Sequence, residues 1–264
     1  QGTTLWSQLY DGGGSFAATD IQRVQSGGGY WVIYNSGLGA GWMKISDTGD
    51  LLYSQINSLD CVFRRILPLS DGGFLISGYE STNSNRNAFL LKINPGGNVV
   101  WKTGFGGAGD DEIDNCWEDT EGFIYCSGYS ENFDGNRDGL LARLSPAGAL
   151  LWTRLYGSSA TDQFAGVAPF SSDNSLLLAG YSSGFGNENQ VWLVKVTAAG
   201  VLKWSRTYSI PGQNLGAIDL LQLPGNQFVI AASDPAYQVG SPAILFKVSE
   251  DGDLLWEFEY RNGS

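Results

Sequence analysis

Five basic residues recur at nearly even spacing: Lys44, Lys92, Arg143, Lys195 and Lys247 stand 48, 51, 52 and 52 positions apart. Each sits in a short apolar run, so its charge has to meet an acid, a carbonyl or water. Asp60, Asp111 and Asp162, near the first strand of successive units, are the candidate partners. Burying such a pair costs desolvation, so these pairs are expected near a rim. A base repeated at this interval reads as a structural device before it reads as a site.

Ten residues ahead of each base stand Tyr34, Thr82, Phe133, Phe185 and Tyr237, four of them aromatic. Asn85, Asn136 and Asn187 lie close by. Aromatic faces beside amide groups suit sugars, which present a C–H face and a hydroxyl edge. The alternative is that each aromatic plugs its own loop while the Asn residues make turn contacts. One loop also carries Asp134, Asn136 and Asp138 around Gly135, an oxygen-rich spacing similar to calcium loops. It lacks the bidentate Glu that closes such loops and places Arg137 among the oxygens, so a solvated turn is the default. No cofactor is expected, with calcium kept as the alternative.

Catalysis has little to build on. The chain has no His, which removes the commonest general base and metal ligand. No Gly-x-Ser-x-Gly elbow or Gly-rich phosphate loop is present. Asp110-Asp111-Glu112 is an acid cluster at a strand start, where a structural role is favoured. Glycosidase chemistry needs only two placed carboxylates and stays open as an alternative. The expectation is a protein that is not an enzyme.

These residues are carried by a hairpin that recurs through the chain. Val191-Trp192-Leu193-Val194-Lys195-Val196 runs into a turn at Gly200 and returns to Trp204. Equivalent pairs link Lys44 to Tyr53, Lys92 to Trp101, Arg143 to Trp152 and Lys247 to Trp256. Ahead of each hairpin lie two more short strands separated by a turn such as Ser70-Asp71-Gly72-Gly73, and the second ends at a Ser-Gly-Tyr-like triplet. Four short strands per unit of about fifty residues, repeated, predict an all-β β-propeller. Its five four-stranded blades span 16–60, 61–111, 112–162, 163–214 and 215–260, with 1–15 as an extra terminal strand of one domain. The 9 Trp, 12 Tyr and 13 Phe supply the bulk that fills the wedges between blades.

The strand count leaves a remainder. Trp6, Tyr53, Trp101, Trp152, Trp204 and Trp256 mark six Trp-type strands for five places. The surplus copy, with Trp6, Leu9 and Tyr10 at one end and Trp256 at the other, is a candidate assembly strand, because free strand edges pair with other molecules. On this reading, deleting residues 1–10 abolishes assembly.

Composition bounds the partners. Of 264 residues, 42% are apolar, 16% are charged and 37 are Gly, which suits tight turns and not disorder. No stretch approaches the roughly 20 apolar residues of a membrane helix. A net charge of −12 disfavours nucleic acid and anionic lipid and keeps an exported protein soluble. The sequence opens at Gln1 without Met or leader, which fits a processed exported chain and a trimmed chain equally. Cys116 and Cys126 flank the turn at 119–122; a disulfide between them is one reading. Small buried side chains are the favoured one, since Cys126 aligns with Ile76 and Leu178.

Lys92-Ile93-Asn94-Pro95-Gly96-Gly97-Asn98-Val99-Val100-Trp101, followed by Phe105-Gly106-Gly107, and the turn Asp71-Gly72-Gly73-Phe74 resemble the repeats of secreted propeller proteins of Bacteroidota-type bacteria. Those read as Lys-Leu-Asp-x-x-Gly-Asn-x-x-Trp and often carry a removable C-terminal secretion signal. The resemblance runs the whole length and implies a propeller and a secreted or cell-surface location. It transfers no activity. The expected function is a structural or interaction module whose partner is itself, as oligomer or filament, or another surface protein. A glycan-binding propeller using the loops before each base is the alternative, and a carboxylate-dependent carbohydrate-active enzyme the second.

Overall fold

Each unit closes on a hairpin turn that only glycine suits. Gly49, Gly97, Gly148, Gly200 and Gly252 have φ between +77° and +88°, the left-handed region that a Cβ disfavours. In each turn the glycine N–H bonds the carbonyl three residues back, as Gly200 does to Thr197. The sequence period therefore fixes where every last strand begins.

The computed structural model describes residues 6–10, 16–24, 28–57, 60–82, 85–131, 135–186, 188–235 and 241–260. Its strands form five four-stranded antiparallel sheets, each a meander in chain order. The first holds β1 (Phe16–Arg23), β2 (Tyr30–Ser36), β3 (Gly39–Ile45) and β4 (Leu51–Asn57). The second holds β5 (Cys61–Pro68), β6 (Phe74–Ser81), β7 (Arg86–Ile93) and β8 (Val99–Phe105). The third holds β9 (Asp111–Glu118), β10 (Ile124–Glu131), β11 (Arg137–Leu144) and β12 (Leu150–Tyr156). The fourth holds β13 (Asp162–Pro169), β14 (Leu176–Ser182), β15 (Gln190–Val196) and β16 (Leu202–Tyr208). The fifth holds β17 (Gly216–Leu223), β18 (Gln227–Ser233), β19 (Ala243–Val248) and β20 (Leu254–Tyr260).

Alternation along the middle strands gives every sheet two apolar faces, and the core is a row of sheet-on-sheet contacts. Trp31, Ile33 and Trp42 of the first sheet meet Phe74, Ile76 and Phe89 of the second. The opposite face of the second sheet, with Leu75 and Leu90, meets Ile113, Cys126 and Leu140 of the third. Tyr125 and Leu141 then meet Phe164, Leu178 and Trp192 of the fourth. Leu177 and Leu193 meet Phe228, Ile230 and Phe246 of the fifth. Four cores join five sheets in a row. Among the described residues, no strand of the fifth sheet packs on the first to a comparable extent. Among the described residues, the arc of blades is not joined end to end by a fifth such core.

A lock recurs at each contact. The Trp strand of one unit lies against the glycine turn of the next: a Cβ on Gly148 would stand 2.5 Å from the Trp101 ring, and one on Gly97 would stand 2.7 Å from Trp31 and 2.8 Å from Tyr53. A Cβ on Gly252 would stand 3.1 Å from Trp204. Tyr156 donates to the carbonyl of Gly200 at 2.7 Å, and Tyr208 donates likewise to Gly252.

Two expectations need correction. Cys116 and Cys126 stand directly opposite one another on β9 and β10 with Cα atoms 4.1 Å apart, and they are joined as a disulfide. Their symmetric placement about the turn puts them in register, which outweighs the alignment with aliphatic neighbours. The repeated bases do not meet Asp111 or Asp162. Lys92 pairs with Asp71 at 2.6 Å and Lys195 with Glu250 at 3.1 Å, both turn acids. Asp111 and Asp162 instead accept the backbone N–H groups of Gly107 and Ser158 four residues before them. Nor do the bases sit on an open rim: Lys195 is buried with its ammonium 3.8 Å from the Phe170 ring centre.

Candidate functional site

The first strand of every sheet carries a β-bulge at one and the same repeat position. The register slips around Thr19, Arg64, Asp114, Ala165 and Ile218 in β1, β5, β9, β13 and β17. A bulge re-aims the extra residue's side chain. It also crowds the partner strand, which explains the Ser-Gly-Tyr triplet. A Cβ on Gly128 would stand 1.9 Å from the Glu112 carbonyl oxygen, and Gly78 and Gly180 are equally confined.

Four of the five bulged residues, Arg64, Asp114, Ala165 and Ile218, line one cleft of about 380 Å³ between the inner strands of the second to fifth sheets. Arg65, Gln163 and Tyr181 line it too. Gln163 donates its amide to Asp114 Oδ2 at 2.9 Å. Arg64 Nε pairs with Glu112, a buried carboxylate that also accepts from the Tyr129 hydroxyl at 3.3 Å. Arg65 stands 3.4 Å from Asp219, and Arg137 lies 3.0 Å from Glu131 with its guanidinium 4.4 Å from the Tyr129 ring centre. Burial, then the charge of Glu112, push the Asp114 carboxyl up to about 7; Arg64, Gln163 and Arg65 pull the other way. Asp114 thus offers either a donor or an acceptor at neutral pH. It is the one carboxyl among the described residues that line the cleft. Glu112 is engaged behind it with Arg64 and Tyr129.

Among the described residues, the loop positions singled out by spacing each engage their own surroundings. Tyr34 lies within β2, buried, its ring 5.2 Å from Phe16. Phe185 is 52% exposed and lies 6.5 Å from the Trp192 ring. Asn85 spends its amide on the carbonyls of Gly107 and Gly109, at 3.0 and 2.8 Å, and Asn136 donates to Ser158 at 3.3 Å. Both brace the loop that leads into the next sheet. Asp138 lies beside Asp162, and burial followed by that charge raises its pKa. Phe133, Asp134, Asn187 and Tyr237 lie outside the described residues.

The terminal strands give a second candidate surface. Residues 6–10 join no sheet, yet a Cβ on Gly49 would stand 2.7 Å from the Trp6 ring, and the Tyr10 hydroxyl donates to the Gly49 carbonyl. This segment holds on the first sheet the place that β4, β8, β12 and β16 hold on the sheets after them. Between it and that sheet lies a cleft of about 620 Å³, lined in part by Leu9, Tyr34, Met43 and Ile56. Five glycine turns therefore receive five Trp-type strands, and the copy left over is Trp256. Among the described residues no glycine turn covers it. Leu245 beside it is half-buried, whereas its equivalents Leu90, Leu141 and Leu193 are fully buried. Phe258 and Leu221 on the same face are 58% and 62% exposed.

Solved structures share this architecture. A protein of unknown function from Bacteroides caccae matches with a TM-score of 0.61 at 14% identity, over 98% of this chain and 85% of its own. A gluconolactonase from Xanthomonas campestris matches at 0.50 and 12%, over 92% and 80%. A member of the DUF4221 family from Bacteroides vulgatus matches at 0.48 and 10%, over 93% and 82%. No family model and no curated protein matches the chain. At these identities the likeness is one of fold: the chain is an all-β, propeller-like protein.

Proposed function

We propose that this chain is a non-catalytic interaction module of the cell exterior that assembles head to tail once its N-terminal segment is displaced, the fifth sheet of one copy packing on the first sheet of the next. The observation that carries it is the uncovered face of the fifth sheet. Val229, Leu245, Lys247 and Trp256 repeat the face that Leu177, Leu193, Lys195 and Trp204 present to the fifth sheet, and they lack the cover those residues receive. The complementary face is on the first sheet, where Val32 and Ile45 stand at the positions of Ile76 and Ile93. Contact between the two ends would continue the four existing interfaces with the same chemistry. The Cys116–Cys126 disulfide favours an oxidising compartment. Asp114, the one carboxyl among the described residues that line the axial cleft, supports binding over hydrolysis.

The seat at Gly49 changes the expected effect of the N-terminal strand. Residues 6–10 already occupy the place that β20 of a neighbouring copy needs, which supports a capping role and not an adhesive one. Light scattering over a concentration series tests this on the full chain, the chain lacking residues 1–10, and the shortened chain with Trp256→Ser. Shortening is expected to give multimers, and Trp256→Ser to return monomers. A shortened chain that stays monomeric with Trp256 buried has closed on itself and overturns the proposal. Multimers that survive Trp256→Ser overturn it as well.

A further inference from the structure

The axial cleft is built from one repeated position whose chemistry changes around the arc. The bulged residue is Arg64 in the second sheet, Asp114 in the third, Ala165 in the fourth and Ile218 in the fifth. The lining is therefore mixed, polar at Arg65, Asp114 and Gln163 and apolar at Ala165, Ile218 and Pro235. A scaffold position needs no such division, and neighbouring positions in the same strands keep their character. Phe63, Ile113, Phe164 and Ala217, one residue earlier, are all buried and apolar.

Charges at the cleft are already matched inside the protein. Arg64 is held by Glu112, Arg65 by Asp219 and Arg137 by Glu131. An ionic ligand would have to break one of these pairs and leave a charge without its partner. A neutral ligand rich in hydroxyls would not, because guanidinium groups and carboxyl oxygens keep spare donors and lone pairs beyond one partner. A lining that offers apolar side chains beside hydrogen-bonding ones matches a sugar ring, and about 380 Å³ falls within the usual size of ligand pockets. We propose that the axial cleft is a binding site for a neutral sugar unit, with its hydroxyl edge on Arg65, Asp114 and Gln163 and its C–H face on Ala165 and Ile218.

This site uses the inner strand of the fifth sheet and not that sheet's uncovered end face, so it stands whether or not copies assemble. It also differs from glycan binding by the loops, which would give one site per blade. The axial cleft gives one site per chain.

Calorimetric titration and saturation-transfer NMR of the full chain test it, with neutral methyl glycosides and neutral disaccharides as probes. Glucuronic acid and glucosamine serve as charged counterparts. Binding of a neutral probe is expected at one site per chain. Ile218→Trp, which fills the cleft, and Gln163→Ala should each weaken it at least about tenfold, while Phe185→Ala leaves it unchanged. Thermal melts of the variants must match the parent. If Ile218→Trp lowers the melt, Gln163→Ala alone decides. Absence of binding by every neutral probe at millimolar concentration overturns the proposal. So do preference for a charged probe, several sites per chain, or loss of binding on Phe185→Ala.

Discussion

Tyr156 donates a 2.7 Å hydrogen bond to the carbonyl oxygen of Gly200, and this one contact joins the last strand of the third sheet to the hairpin turn of the fourth. Gly200 stands at φ +77°, and a Cβ there would meet Arg154 Cγ at 2.8 Å and the Tyr156 hydroxyl at 3.1 Å. Gly200→Ala thus adds left-handed backbone strain to an intersheet clash. A loss of about 2 kcal/mol is expected, which in a chain of this size lowers the melting temperature by roughly 4–8 °C. Gly212→Ala is the control for backbone strain alone, since φ is again +77° and nothing lies within 4 Å. Equal losses in the two variants, read by thermal denaturation, would remove the lock from the argument.

Asp114 sets a pH dependence with a definite sign. Its carboxyl titrates near 7 in the folded chain, against 3.8 for the ordinary group. Between those values the folded state holds a proton that the unfolded state releases, so this group's contribution to stability falls as pH rises from about 4 to 7. Each unit of difference corresponds to about 1.4 kcal/mol. Asp114→Asn removes the penalty, so the variant should gain stability over the parent at pH 8 and lose that advantage near pH 4. Urea unfolding of both proteins at the two pH values measures it. An advantage that is constant with pH would mean Asp114 is ionised throughout.

The blades were legible because period, glycine turn and Trp strand are local signals that also carry the packing. The axial cleft was not, although its trace is in the sequence. When the first strands are aligned, Thr19, Arg64, Asp114, Ala165 and Ile218 form the column where charge, size and polarity all change, inside strands that otherwise repeat. The bases were placed correctly on the middle strands, but their partners were misassigned. Asp71 and Glu250 come near Lys92 and Lys195 only through hairpin register and sheet stacking. The open arc left no local mark. Ring closure depends on the tilt between sheets, which no single hairpin encodes. Counting Trp strands against glycine turns shows only that one copy is left over, and the seating of Trp6 on Gly49 identifies it as Trp256.

The Cys116–Cys126 bridge links adjacent strands across a separation of 10 residues. By loop-closure entropy it stabilises the chain by about 2–3 kcal/mol. Reduction with dithiothreitol should lower the melting temperature by several degrees. Peptide mapping without reductant should recover the two cysteines linked and Cys61, which is buried and free, as a thiol. Recovery of three thiols from native material would return Cys116 and Cys126 to the role of small core side chains.

The fifth sheet allows its two faces to be compared within one element pair. Phe246 on β19 is buried against the fourth sheet, its ring 5.2 Å from Tyr208. Tyr260, on β20, is 58% exposed on the opposite face, whereas its equivalents Tyr156 and Tyr208 are half-buried and donate to the glycine turns of the sheets that follow them. Phe246→Ala removes a packed ring from a core and should cost about 3–5 kcal/mol. Tyr260→Ser gives up only partly exposed surface and should change stability by less than about 1 kcal/mol. In a closed ring Tyr260 would take the half-buried place of Tyr156 and Tyr208, and its removal would cost more. Equilibrium unfolding of the two variants, at a concentration where the chain is monomeric, separates the cases. A large loss for Tyr260→Ser means that the first sheet covers the fifth in solution, and then the end faces are not free to bind another copy.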